Sequence, residues 1–423
     1  MWPRKQLDIS WLDFAFASAQ IFSPAKRLDD DAVAGPGWIP AGEALVSLSV
    51  RSAWDLLLSA LRLPAGSEIV MSAVTVPDMA RIVEHHGLVP VPVDVDPLRL
   101  EPVLAELEQA ITPRTRAILV AHLFGSRIDM TPIIELASKH NLLVVEDCAQ
   151  AFIGREYAGH RDSDVCLFSF GPIKTATALG GAITRVRDRA LLAEMSRRQQ
   201  EYPVQKRRSY LSRIAKFIGI RLFTTRPVYS AAVAYARKRG LDYDHKIAGL
   251  ARSFAADRLF QLIRRQPSTP LVKMLQWRIA TYEGSAATRL RRRTERSSRV
   301  AKCLSHDQFI GAENPTHTYW VFPIRTTDAN VVESLQTAGF DATRLSSLVV
   351  VPPLDTVQHS TNGSPQRLAT WLDETVYLPN CDAIPDAEFD RLAAILSSAI
   401  GDTKPVPPAK REPADRPRVI VAP

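Results

Sequence analysis

Over the first 190 residues, short apolar runs alternate with longer segments of mixed polarity. The runs Glu68-Ile69-Val70-Met71, Val89-Pro90-Val91-Pro92-Val93-Asp94, Ala117-Ile118-Leu119-Val120-Ala121, Leu142-Leu143-Val144-Val145 and Val165-Cys166-Leu167-Phe168 are of strand length, and turn residues flank them. Between them the pattern predicts helices at 52–61, near 78–83, at about 101–110 and at about 130–139. Pro64-Ala65-Gly66 stops the first and Gly87 the second. Strands alternating with helices predict an α/β fold: a mostly parallel sheet covered on both faces. In such sheets ligands sit beyond the carboxyl ends of the strands.

The rest of the chain is patterned differently. Residues 1–44 read as an N-terminal arm, with loops at Asp29-Asp30-Asp31 and Gly35-Pro36-Gly37. Val204 to Leu241 holds ten Lys/Arg and no Asp or Glu, interleaved with Tyr210, Leu211, Ile214, Phe217, Ile218, Ile220, Leu222 and Phe223. That predicts one or two basic amphipathic helices, which fit a solvated face packed on the domain, a dimer element or an anionic membrane surface. Arg289-Leu290-Arg291-Arg292-Arg293 reads as the exposed face of a helix. From about 315, strand candidates at Thr318–Ile324 and Val376–Leu378 and helices at 331–338 and about 386–399 predict a smaller α+β domain. The expected division is an arm (1–44), a large α/β domain with a basic helical insert at about 203–300 (45–300), a small C-terminal α+β domain (301–401) and a disordered, proline-rich tail (402–423).

At 423 residues two domains are expected. No long uncharged apolar run and no signal-like N-terminus is present, and the four cysteines are scattered without a CxxC pair. Neither a metal site nor a disulfide framework is expected, and the location expected is the cytoplasm. Cys148 and Cys166 read as small buried hydrophobes. A net charge of +8 fits an anionic substrate, a nucleic acid or an anionic membrane surface without choosing among them. No nucleic-acid reader motif accompanies it, so no nucleic-acid partner is expected.

The chemistry concentrates at two strand ends. Val145-Glu146-Asp147-Cys148-Ala149-Gln150 ends one strand in a carboxylate, and Phe168-Ser169-Phe170-Gly171-Pro172-Ile173-Lys174 follows the next with a lysine. An acid and a lysine presented this way suit pyridoxal 5′-phosphate, which needs a lysine to hold it covalently and an acid to keep its ring nitrogen protonated. With Ala151, Ser163-Asp164 and Gly180-Gly181, these residues resemble the DegT/DnrJ/StrS family of pyridoxal-phosphate sugar aminotransferases. The order of motifs holds from about residue 45 to 190 and returns more weakly from about 315 to 400. The fold implied is that of aspartate-aminotransferase-like, fold type I enzymes.

The resemblance assigns roles. Lys174 is the lysine that carries the cofactor and moves the proton, and Asp147 pairs with the ring nitrogen. Gln150 meets the ring or its 3′-oxygen, and Ser169 binds the phosphate. Arg51 and Ser52 stand where many relatives carry a Gly-Thr pair at a helix start that holds phosphate. Ser52 also reads as a helix N-cap. Val76 stands where relatives have a ring stacked on the cofactor. No Asn-Tyr-Arg-like run is found for the partner-subunit contact, though Arg252-Ser253-Phe254 lies in the corresponding region. His122 suits a substrate-side role or a satisfied core histidine equally. Asp164 reads as a loop-capping carboxylate, and Arg344 as a candidate contact for a nucleotide phosphate.

The implied function is transfer of an amino group, with glutamate the expected donor, to a keto-sugar linked to a nucleotide, in polysaccharide or secondary-metabolite biosynthesis. A homodimer is expected, with weak anionic membrane-surface contact through 204–241 as an option. The alternative is a catalytically inactive relative that keeps the fold for binding or regulation. The complete set Asp147, Gln150, Ser169 and Lys174 favours the enzyme, because folding does not require those four together.

Overall fold

The computed structural model describes residues 1–24, 28–241, 258–345, 348–351 and 367–400. Its strands are β1 (Ala44–Ser47), β2 (Glu68–Ser72), β3 (Val74–Thr75), β4 (Val89–Val93), β5 (Thr115–Ala121), β6 (Leu143–Asp147), β7 (Val165–Ser169), β8 (Ala182–Val186), β9 (Phe322–Arg325), β10 (Val349–Val350) and β11 (Thr375–Leu378). Seven of them form one sheet in the order β1-β8-β7-β6-β5-β2-β4. From β4 to β7 every pairing is parallel, and β8 runs antiparallel to both its neighbours. Helices cross from β2 to β4, from β4 to β5 and from β5 to β6, a non-helical segment joins β6 to its parallel neighbour β7, and β7 returns to β8 through the short loop that carries Lys174.

The strands are buried on both faces, which is why they read as continuous apolar runs. Ile69, Met71, Ala117, Leu119, Val145, Val165 and Leu167 pack with Trp54, Leu57 and Ile82 from the helices Val50–Leu61 and Pro77–His85. The alternate residues Val70, Ile118, Val120 and Val144 pack with Ile133 and Leu136 of the helix Thr131–Lys139. Farther along that second face, Cys166, Phe168 and Ile183 meet the arm and Leu271, Leu275 and Ile279 of the long helix Thr269–Ala301. This period-two sorting fixes the register, since a one-residue slip would exchange the two faces.

Strands and helices of the first 190 residues fall where the pattern places them, with β1 and β8 added. In β8 the polar pair Thr184-Arg185 breaks the apolar run, although Arg185 is buried and donates to the carbonyls of His160 (2.6 Å) and Ser163 (2.8 Å). Asp29-Asp30-Asp31 is not a loop: a helix spans Asp30–Ala34, and Asp30 and Asp31 accept from the amides of Val46 (3.1 Å) and Gly42 (2.7 Å). The strand expected over 318–324 shortens to β9, because the chain before it is tied to Gly125 through the Thr318 amide (3.0 Å).

The basic region forms the helices Arg207–Phe223 and Arg226–Lys238. The first packs Tyr210, Ile214 and Phe217 into the arm-side core. The arg-rich run at 289–293 lies in the long helix but is not uniformly exposed. Arg289 reaches Asp8 at 3.4 Å, and Arg293 donates to the Thr318 carbonyl at 2.9 Å. That helix buries Leu275 in one core and Val300 in another, which is built from β9, β11 and the helices Asn330–Thr337 and Asp386–Ile400. Among the described residues no helix is long and apolar enough to cross a membrane. The tail at 402–423 lies outside the described residues.

Candidate active site

Three parallel strands deliver their last residues to one place. Ala121 of β5 pairs with Asp147 of β6, and Asp147 pairs with Leu167 of β7, so residues following these strands converge. Asp147 is 9% exposed, and burial raises its carboxyl above the usual range against the pull of the Ala149 amide and Lys174. The Ala149 N–H donates to its Oδ1 at 3.0 Å, a local clamp that orients the acid. Lys174 sits on the β7–β8 loop. Burial brings its amine down to about 8, Arg51 adds to that and Asp147 opposes it. Lys174, Asp147 and Arg51 therefore sense one another, as a shared cleft requires.

The loop is held from several sides. The Phe170 amide donates to the Gly181 carbonyl at 3.0 Å, and the Gly171 amide lies 3.4 Å from Ser169 Oγ. Ser169 is half-buried at the end of β7. Trp320 places its ring centroid 4.4 Å from Lys174 Nζ. Gly125 makes that placement feasible: it has a φ of +92°, and a Cβ there would fall 2.8 Å from the Trp320 backbone nitrogen.

Arg51 and Ser52 lie in the first turn of the helix Val50–Leu61. Arg51 Nε donates to Asp78 at 2.5 Å, which holds the guanidinium at the cleft. Ser52 is not the N-cap. Ser49 caps the helix, its Oγ accepting from the Ser52 amide at 3.2 Å and lying 3.0 Å from Ser52 Oγ. Val76 is itself the N-cap residue of Pro77–His85 and is half-buried against the helical side of the core.

Gln150 is tied to the segment that follows β5: the Phe124 amide donates to its Oε1 at 2.9 Å. His122 is a satisfied core histidine. Its Nδ1 accepts from the Ile128 amide (3.0 Å), so Nε2 carries the proton and donates to Glu146 (2.9 Å). Tyr157 also donates to Glu146, at 2.7 Å. Although burial opposes it, hydrogen bonding from His122 leads the causes that hold the Glu146 carboxyl down to about 2. His122, Glu146 and Cys148 converge within 4.8 Å. The first two are already bonded to each other, and burial keeps the Cys148 thiol protonated, so this cluster is a hydrogen-bonded support behind Asp147.

Asp164 caps a loop, accepting from the Val144 amide (2.9 Å) and pairing with Arg187 (2.7 Å). Arg344 is committed elsewhere: it donates to the carbonyls of Thr326 (3.0 Å), Glu374 (3.2 Å) and Asp328 (2.9 Å). It therefore serves the small sheet of β9 and β11. Arg252-Ser253-Phe254 lies outside the described residues. Sequence reading missed Ser49, Trp320 and Lys5. Only Ser49 had a signal, since it opens the helix three residues before Ser52. Trp320 and Lys5 come from segments remote in sequence.

Against this geometry, comparison with known proteins is informative. Residues 38–222 match the DegT/DnrJ/EryC1/StrS aminotransferase family. GDP-perosamine synthase of Caulobacter vibrioides is 40% identical over 147 residues, covering 34% of this chain and 39% of that protein. A UDP-N-acetyl-3-dehydro-alpha-D-glucosamine 3-aminotransferase of Acidithiobacillus ferrooxidans is 43% identical over 128 residues, 30% of this chain and 34% of that one. The matched segments thus span about two-fifths or less of these relatives' lengths. The crystal structure of the aminotransferase TlmJ from Streptoalloteichus hindustanus superposes with a TM-score of 0.67 at 18% identity, over 95% of this chain and 99% of that one. The mostly parallel sheet, the helices around it and the C-terminal α+β region are therefore one shared fold. Over residues 38–222, the segment that builds the cleft, the chain is thus similar to the DegT/DnrJ/EryC1/StrS aminotransferase family.

Proposed function

We propose that the chain is a pyridoxal-phosphate-dependent transaminase that moves an amino group from glutamate to the keto group of a nucleotide-linked sugar. One observation carries this reading: a buried carboxylate, Asp147 at the end of β6, and the amine of Lys174, on the loop after the neighbouring β7, sense each other, with the amine brought down to about 8. An amine of ordinary basicity would be almost wholly protonated at neutral pH and unable to attack a carbonyl. The donor set fits the cofactor. Lys174 would hold it, Asp147 would face its ring nitrogen, and Ser169, Ser52, Arg51 and the first turn of Val50–Leu61 would take its phosphate. When bound, pyridoxal phosphate supplies an electron sink for breaking a C–H bond next to nitrogen.

The chain's own residues do the remainder. Lys174 Nζ would serve as the base that takes the proton from the donor carbon and returns one to the acceptor carbon. Asp147 would stand as a carboxylate toward the cofactor's ring nitrogen, and the Ala149 amide holds that carboxylate in place. Glu146, His122 and Tyr157 form a rigid network behind it. The Trp320 ring lies against the lysine amine. The test is mass spectrometry with 15N-glutamate and a panel of nucleotide-linked keto-sugars. Gain of one labelled amine on one of them is expected, and label remaining wholly in glutamate across the panel contradicts the proposal.

Cytoplasmic location, a homodimer and the division at about residues 45, 301 and 402 belong to the same reading. The exposed Leu222, Val228 and Tyr235 beside Lys/Arg on the two basic helices favour an anionic surface contact. The second reading, a binding protein without turnover, is favoured by the tight Arg51–Asp78 pair, which occupies a guanidinium expected to meet phosphate.

A further inference from the structure

The start of the chain runs into the cleft. Trp2, Leu7 and Ile9 are buried, and Trp2 bridges to Phe340. Asp8 Oδ2 accepts from the Ala176 amide at 2.6 Å, inside the loop that carries Lys174. The carbonyls of Leu7 and Asp8 accept from Arg221 (2.9 Å) and Arg278 (2.6 Å). These ties aim Lys5. Its Nζ lies 3.4 Å from the centroid of Trp320, the same ring that Lys174 Nζ approaches at 4.4 Å.

Lys5 Nζ is buried and has no hydrogen-bond partner among the described residues. Its charged neighbours are mostly of its own sign: burial, then Lys174 and Arg293, push its amine well down, and Asp8 alone pulls the other way. Asp8 is already shared with Arg278 (3.6 Å) and Arg289 (3.4 Å). A buried ammonium without a partner is costly, and a cluster of cations with one shared acid is short of negative charge. An oxyanion from solution would supply both the missing acceptor and the missing charge.

We propose that Lys5, with Arg293 beside it, is the receptor for the acidic group of a substrate, a carboxylate or phosphate seated over Trp320 next to Lys174. This rests on Lys174 being the reacting lysine. Two sources share that chemistry: the distal carboxylate of the amino donor and the diphosphate of the nucleotide-linked acceptor. In either case the arm sets which substrate is gripped, while Lys174 does the chemistry.

The experiment is calorimetric titration of the cofactor-loaded full chain with succinate, an unreactive dicarboxylate, and separately with uridine, guanosine and thymidine diphosphates. Each is repeated on Lys5→Met and Lys5→Arg. The expected result is that Lys5→Met weakens one class of probe by about 10- to 100-fold, the loss of one charge-assisted bond, while Lys5→Arg stays close to wild type. Loss with succinate assigns the group to the donor, and loss with a nucleoside diphosphate assigns it to the acceptor. The visible absorbance of the bound cofactor should be the same in all three proteins. Unchanged binding of every probe by Lys5→Met overturns the proposal. So does absence of probe binding to wild type, or loss of the visible band in Lys5→Met, which would give Lys5 to the cofactor. Absence of that band in wild type instead sinks the cofactor reading, and calorimetry still reads the anion site.

Discussion

Lys174 is the residue on which the proposed chemistry turns, and its surroundings make opposite predictions for its two charged neighbours. Asp147 holds its amine up and Arg51 holds it down, against burial that sets the level near 8. The free amine is the attacking form, so cofactor capture should speed up as pH rises and level off above about 8. Stopped-flow absorbance after adding pyridoxal phosphate reads this. Asp147→Asn should move the midpoint to lower pH and Arg51→Gln to higher pH. Shifts of the same sign would show that the cleft does not couple the three. Asp147 and Lys174 were legible in sequence because one ends β6 and the other lies just beyond β7, and Arg51 because it opens a helix. Lys5 and Trp320 were not legible: each reaches the cleft only through long-range packing. His122 was ambiguous for a related reason, since its role depends on Ile128 and Glu146 bonding its two nitrogens.

At the scale of elements, the parallel strands were legible because burial on both faces makes them continuous apolar runs, and the helices because Pro64 and Gly87 punctuate them. The strand β8 was hidden by a buried arginine whose terminal nitrogens donate to carbonyls and whose Nε faces Glu43 at 3.8 Å. The arm's aspartates looked like a loop because their partners, the amides of Gly42 and Val46, lie on the turn and strand that follow. The connection through Gly125 permits a comparison. Gly37 has a φ of +79° with open space around it, whereas Gly125 has a φ of +92° and a Cβ would meet Thr318 and Trp320 at 2.5 and 2.8 Å. Gly37→Ala should cost about 1 kcal/mol, from backbone strain alone. Gly125→Ala should cost about 2–4 kcal/mol, from strain plus overpacking, and should displace Trp320. Urea unfolding monitored by tryptophan fluorescence compares the two. Equal costs would mean that the close approach of Gly125 to Trp320 is not a constraint.

Across the whole molecule, three separate stretches build one cleft: the N-terminal arm, the strand ends of the central sheet and the segment around Trp320. The sequence motifs lie almost entirely in the second, so resemblance covers the cofactor chemistry well and the substrate-gripping parts poorly. The long helix Thr269–Ala301 contributes Arg278, Arg289 and Arg293 to the arm's surroundings, and its basic run looked merely solvated because its acidic partner, Asp8, is some 280 positions away. The central claim is that this cleft binds pyridoxal phosphate through Lys174 and accepts an amino group there. The most direct test is the absorbance spectrum of the purified chain with added pyridoxal phosphate, before and after glutamate, for wild type and Lys174→Ala. The account predicts a visible band in wild type that glutamate bleaches, and no such protein-bound band in Lys174→Ala. A wild-type protein that shows no band at saturating cofactor, or a band of equal strength in Lys174→Ala, would contradict it.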